Sequence, residues 1–156
     1  MKTGSILYNF IISLWVGGII IFTFLVTPVI FQSFGRDAAG EIVGKLFPYY
    51  FPYNLFLSLA ALVIFLLFFG VRGKIQNKIT IILLTLAILI NLFVSFKLHP
   101  DIVSIKQQIQ TFETQSDESQ LRSQFRKLHG ISALLNILLL IDGIALLVLH
   151  TPAKKQ

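Results

Sequence analysis

Ile79-Thr-Ile-Ile-Leu-Leu-Thr-Leu-Ala-Ile-Leu-Ile-Asn91-Leu-Phe-Val-Ser95-Phe-Lys-Leu98 runs eighteen residues before its first charge, Lys97. A helix needs about 20 residues to cross a hydrocarbon core, and a barrel strand only about half that. With no water to bond its amides, an apolar run this long satisfies its backbone by coiling. Three other stretches have the same character, at about residues 5–31, 53–71 and 128–149. The expectation is an all-α, integral membrane four-helix bundle forming a single domain over residues 1–156.

Composition agrees. The chain is 55% hydrophobic and 13% charged, with a mean hydropathy of +0.81, whereas a soluble domain carries about a quarter charged residues. A net charge of +6 would suit nucleic acid, but Lys and Arg beside apolar spans are topology signals. No nucleic-acid partner is expected; the partners are the bilayer and other membrane subunits. The absence of Cys removes disulfides and thiolate metal sites. Lys2 precedes an apolar run longer than a signal-peptide core, with no small-x-small cleavage pattern after it, which reads as a retained span. Arg72, Lys74 and Lys78 crowd one short connection, and Lys2, Lys154 and Lys155 flank the termini, all without acids. The opposite side mixes both signs. A multi-pass membrane protein with both termini cytoplasmic follows from that bias, and the expected membrane is a bacterial inner membrane, with the two His-bearing ends facing the periplasm.

Two connections carry structure of their own. Asp37 can cap a short helix with Ala39, Ile42, Val43, Leu46 and Phe47 on one face, a pattern suited to the membrane interface. Pro48-Tyr-Tyr-Phe-Pro-Tyr53 then reads as an aromatic turn at headgroup level. Between spans three and four, Ile102, Ile105, Ile109 and Phe112, and on the return Leu121, Phe125 and Leu128, predict a helical hairpin over 100–127 that projects from the membrane. Pro100 should start its first helix or kink a continuous one, and Pro28 should kink the end of span one.

Polar residues inside the spans are few and ordered. Asn91, Ser95 and His99 share one face of span three, and His129, Ser132 and Asn136 share one face of span four. Laid antiparallel, the two trios mirror each other and predict Asn–Asn, Ser–Ser and His–His pairs at matching depths. The first two pairs read as interhelical hydrogen bonds. The third offers two imidazoles to haem iron or a metal ion, with Lys97, Arg126 and Lys127 near enough to contact an anion and Asp101 the nearest acid. Ser5, Asn9, Ser13 and Gly17 at four-residue spacing predict the face by which span one packs closely. Trp15 should pack in the bundle. Asp142, the only acid within a span, should be protonated and donate a hydrogen bond to another helix, because an ionised carboxylate there costs several kcal/mol. His150 stands alone at the other end and reads as interfacial.

Ser13-Leu-Trp-Val-Gly-Gly18, Pro28, Arg36-Asp-Ala-Ala-Gly40, Leu46-Phe-Pro-Tyr-Tyr50 and Phe125-Arg-Lys-Leu-His129-Gly-Ile-Ser132 with Asn136 together resemble the small four-span family typified by transmembrane protein 205. Bacterial members of that family carry a domain of unknown function. The resemblance implies a four-helix membrane domain and transfers no activity. In layout alone, the chain is also similar to the membrane domain of copper-resistance proteins and to four-span haem-binding oxidases of porphyrinogens.

Three functions fit these features. The first is an accessory or structural subunit of a larger membrane assembly, without catalytic chemistry, since the sequence has no nucleophile–base pair, phosphate loop or paired carboxylates. The second is a haem or metal binder using His99 and His129. The third is a small-solute or ion carrier working along Asp142 and the Asn pair, although no inverted repeat or broken span supports it.

Overall fold

The computed structural model describes residues 2–70, 75–109, 112 and 120–150. Span one comprises α1 (Lys2–Ile21), a π-helical turn (Phe22–Val26) and α2 (Thr27–Ser33); span two is α3 (Arg36–Phe68). Span three comprises α4 (Ile75–Phe93), a second π-helical turn (Val94–Leu98) and α5 (His99–Gln107); span four is α6 (Gln120–His150). All four are long and apolar enough to cross a membrane. The chain is therefore a multi-pass, all-α membrane bundle. At about 1.5 Å per residue, helices of 31–33 residues exceed a hydrocarbon core of about 30 Å. The end of the bundle opposite Thr3 and His150 is called here the loop end.

The two π turns have a common cause. A proline ring collides with the carbonyl four residues earlier and offers no N–H to it. For Pro28 that residue is Phe24, and for Pro100 it is Phe96; each lies inside the π turn. Widening the turn removes the collision and lets the helix continue. Pro48 and Pro52 sit inside α3 without such a turn. Both are exposed and share one face, so their rings meet no packed neighbour.

That continuity corrects one expectation. Residues 37–47 are helical, with Ala39 and Val43 buried, but they form the first turns of α3. There is no separate interfacial helix and no aromatic turn at Pro48–Tyr53. The N-cap is Gly35 and makes no side-chain cap; Asp37 instead accepts the Phe112 amide at 2.7 Å, which ties the chain beyond α5 to α3. The hairpin's legs are helical as expected, the first as α5 and the second as the start of α6. Its Thr114–Glu118 tip lies outside the described residues. Gly70, at φ 66°, ends α3 in the left-handed conformation that glycine adopts freely. Asn77 donates to its carbonyl at 3.2 Å.

The helices surround a common core in the order α1, α3, α4, α6. Its lower apolar layer, toward the termini, is built on Tyr8, Ile12, Trp15, Ile19, Ala61, Phe65, Leu84 and Leu146. The upper layer is Tyr50, Phe51, Val94 and Leu98, with Phe22, Phe47 and Leu135 against it. Between them lies a polar belt that includes Asn54, Ser58, Asn91 and Asn136. On α1 the packing face is not the Ser5–Asn9–Ser13–Gly17 stripe: Ser13 is exposed and a Cβ on Gly17 would meet nothing within 4 Å. Close approach uses other glycines. A Cβ on Gly18 would lie 2.6 Å from Tyr53, and one on Gly143 2.6 Å from Val16.

Candidate functional site: a belt and a loop-end cavity

The mirrored trios do not pair as expected. Asn136 accepts a hydrogen bond from the Tyr50 hydroxyl at 2.7 Å and donates to Thr23 at 2.8 Å, so it joins α6 to α3 and to the π turn of span one. Asn91 reaches Ser58 of α3 at 3.5 Å. Asn54 turns back to the Tyr50 carbonyl at 2.9 Å. The Ser95 hydroxyl has no hydrogen-bond partner among the described residues. Asn91, Ser132 and Asn136 nevertheless converge, with Tyr50 and Asn54, on one small internal cavity of about 10 Å³, the room of a single water. The π turn at Phe22–Val26 explains part of this arrangement, because it carries Thr23 within reach of Asn136.

Above the belt the bundle opens into a cavity of about 430 Å³, within the range of small-molecule sites. Thr27 and Phe31 of α2, Val43 and Phe47 of α3, Ile102 and Val103 of α5, and Phe125 of α6 supply most of its wall. Both His99 and His129 line it. His99 packs edge-on against Phe47 at 5.5 Å and Phe51 at 5.1 Å, and its Nε2 is buried without a hydrogen-bond partner. His129 lies flat against Phe125, one helical turn earlier, at 5.7 Å.

Arg36, Lys106, Arg122 and Arg126 complete the lining, with no Asp or Glu among the described residues that form it. Lys106 lies in the groove left by Gly40 and Gly44 and donates to the Gly40 carbonyl at 2.6 Å, which fixes its ammonium at the rim. Arg122 stands over the Phe112 ring at 5.9 Å. Of the three cations singled out from the sequence, Arg126 lines the cavity. Lys97 is exposed and pairs with Asp101 at 3.2 Å, and Lys127 is exposed away from the wall. Arg36, Lys106 and Arg122 are brought in by the fold from far along the chain. Tyr50 and Tyr53 also carry more than the headgroup role suggested by their context: Tyr50 is buried in the belt, and Tyr53 donates to the Leu14 carbonyl at 2.7 Å.

At the termini end, Asp142 is 8% exposed, and neither carboxyl oxygen has a hydrogen-bond partner among the described residues. The expected bond to another helix is not made. Trp15 is fully buried in the bundle, its indole N–H likewise unpartnered. His150 is more than interfacial. Its Nε2 lies 2.9 Å from the Thr80 hydroxyl, and its ring sits among Tyr8, Phe65 and Phe69.

A membrane helix bundle with a polar belt and a cation-rimmed cavity is the class that these features define. Residues 10–111 match the family described as Domain of unknown function (DUF4149), and the chain belongs to that family. The match ends before His129 and Asn136. No curated protein and no solved structure matches the chain, and the likeness to transmembrane protein 205 stays a resemblance of motifs.

Proposed function

We propose that this protein is a membrane-embedded binding protein whose loop-end cavity takes an amphipathic anion, an apolar body carrying an acidic head. One observation carries the reading: an apolar wall rimmed by Arg36, Lys106, Arg122 and Arg126, with no acid among the described residues that line it. Arg122 and Arg126 also make contacts within the protein, and the proposal rests on the summed positive charge of the rim. An apolar ligand body gains about 25 cal/mol for each Å² it removes from water, and a charge-assisted hydrogen bond adds about 1.5–3 kcal/mol. Titration of the protein in lipid nanodiscs with a fluorescent long-chain fatty acid tests this. Saturable binding should weaken about tenfold or more in Lys106→Gln, and the matching neutral alcohol should bind worse than the acid. Equal binding of acid and alcohol would sink the proposal.

Haem is one such amphiphile, a flat apolar ring with two carboxylates, and the two imidazoles in the lining favour it specifically. Neutral imidazole is a common ligand to haem iron, and Nε2 of His99 has no competing partner. A Soret band that shifts on addition of haem, and is lost in His99→Ala with His129→Ala, is the expected result. Titration without a Soret shift removes haem and leaves the wider class. A bare metal ion is less well served: no group of three or more His, Asp or Glu stands together among the described residues, and Asp101 is held by Lys97. An accessory-subunit role would rest on the exposed apolar faces of the spans, which lipid covers equally well.

A further inference from the structure

A second cluster of titratable groups lies in the other half of the bundle. Asp142 is buried with both carboxyl oxygens unpartnered, and the Tyr8 hydroxyl is equally enclosed and equally unpartnered. The two belong to neighbouring helices that approach closely where Val16 meets Gly143. The Tyr8 ring meets His150 edge-on at 4.9 Å. His150 contacts Thr80, which in turn donates to the Gln76 carbonyl at 3.0 Å, and Gln76 donates back to the Leu149 carbonyl. A carboxyl, a phenol and an imidazole thus succeed one another from the membrane interior to the last turn of α6, about 12 Å below Asp142 at 1.5 Å per residue.

We propose that Asp142 is a proton-binding site inside the membrane, loaded and emptied from the termini end through Tyr8 and His150. Among the described residues Asp142 has no ion-pair or hydrogen-bond partner that would hold it ionised, and burial favours the neutral acid. A proton occupies no cavity, so the tight packing of Gly143 against Val16 beside it is no obstacle. Among the described residues, the charges facing this stretch are few. Tyr8 comes from α1, apolar Phe65 and Phe69 from α3, Thr80 from α4 with Lys78 exposed beyond it, and His150 from α6 itself. At rest the Tyr8 hydroxyl bonds neither Asp142 nor His150, so loading begins with a side-chain rotation that brings it into hydrogen-bond reach, after which the carboxylate takes the Tyr8 hydroxyl proton. Tyr8 regains one from the His150 imidazolium, and the neutral imidazole is recharged from water. One proton moves inward and no other bond changes.

Dicyclohexylcarbodiimide, which adds to neutral carboxylic acids in apolar surroundings, provides the test on the whole protein in nanodiscs. Mapping of the adduct should find Asp142 modified at neutral pH, where an ordinary aspartate of pKa about 3.9 is ionised, and the yield should rise as pH falls. Infrared spectra of unmodified protein should show a neutral-acid carbonyl stretch that Asp142→Asn removes and Asp142→Glu shifts. Its shift on transfer to deuterium oxide should slow by about tenfold or more in Tyr8→Phe and in His150→Leu. A wild-type protein with neither adduct nor carbonyl band at neutral pH overturns the site. Exchange unchanged in both variants overturns the path.

Discussion

Tyr50 illustrates how one hydroxyl can join helices that stand across the bundle from each other. From α3 it crosses the bundle to Asn136 of α6, and Asn136 passes the connection on to Thr23. Removing the hydroxyl with Tyr50→Phe leaves the Asn136 carbonyl oxygen buried without that donor. In water-soluble cores such a loss costs about 1–3 kcal/mol, but hydrogen bonds between membrane helices average about 0.6 kcal/mol, with a maximum of about 1.7. The membrane figure governs here, so Tyr50→Phe should destabilise the protein by about 1 kcal/mol in denaturant unfolding from mixed micelles. A double-mutant cycle with Asn136→Leu should return a coupling of the same order. Steric changes outweigh this polar one. Gly143→Ala places a methyl 2.6 Å from Val16 and should cost about 1–3 kcal/mol through overpacking. Gly17→Ala meets open space and should be neutral or slightly stabilising, since alanine loses less backbone freedom on folding. If Gly17→Ala proved the costlier change, the packing face assigned to α1 would be wrong.

Among the elements, the π turns decide what the cavity contains. Each places one additional residue in a turn, which rotates everything beyond it by about 100° relative to an unbroken α-helix. The turn at Val94–Leu98 thereby sets the azimuth of His99, Ile102 and Lys106. Pro100→Ala restores an N–H and removes the ring that demands the wider turn, so the segment can tighten to α and carry His99 away from Phe47 and Phe51. The expected outcome is fatty-acid binding weakened at least tenfold with unfolding stability within about 1 kcal/mol of wild type; unchanged affinity would show that the turn is held by packing instead. Much of this element pattern was legible from the chain. Run lengths marked four spans, Pro28 and Pro100 marked the irregular turns, and the polar face of span three that carries the buried Asn91 followed from helical spacing. The continuity of α3 was not legible, because Pro48 and Pro52 break helices unless their rings face outward, and facing is a tertiary property. Nor were the partners of Asn91 and Asn136. Mirrored spacing fixes depth, whereas the packing of the bundle decides which helix each side chain faces, and Asn91 and Asn136 face α3 and span one instead. The cavity's cations were hidden for a simpler reason: Arg36, Lys106 and Arg122 are far apart in sequence and meet only in the folded bundle.

Across the whole molecule, the belt divides two unlike halves. The loop end holds a roomy, cation-rimmed cavity, and the termini end is tightly packed around a carboxyl, a phenol and an imidazole. Orientation decides which compartment each half addresses. In the sequence, Arg72, Lys74 and Lys78 lie between spans two and three, and Lys2, Lys154 and Lys155 lie beside spans one and four, without balancing acids, and such bias retains a segment in the cytoplasm. The proposed cavity would then open toward the outer leaflet, and the proposed proton site would exchange with the cytoplasm. Because the chain has no cysteine, single substitutions report topology without background. Ser33→Cys and Gln107→Cys sit on exposed positions of the loop end, and Gln76→Cys at the other. In intact cells a membrane-impermeant maleimide should modify the first two and spare the third, and permeabilisation should expose all three. The reverse pattern would turn the molecule over. It would leave the chemistry of both sites intact while exchanging the compartments they serve, so the cavity would draw its anion from the cytoplasmic leaflet and Asp142 would take its proton from outside.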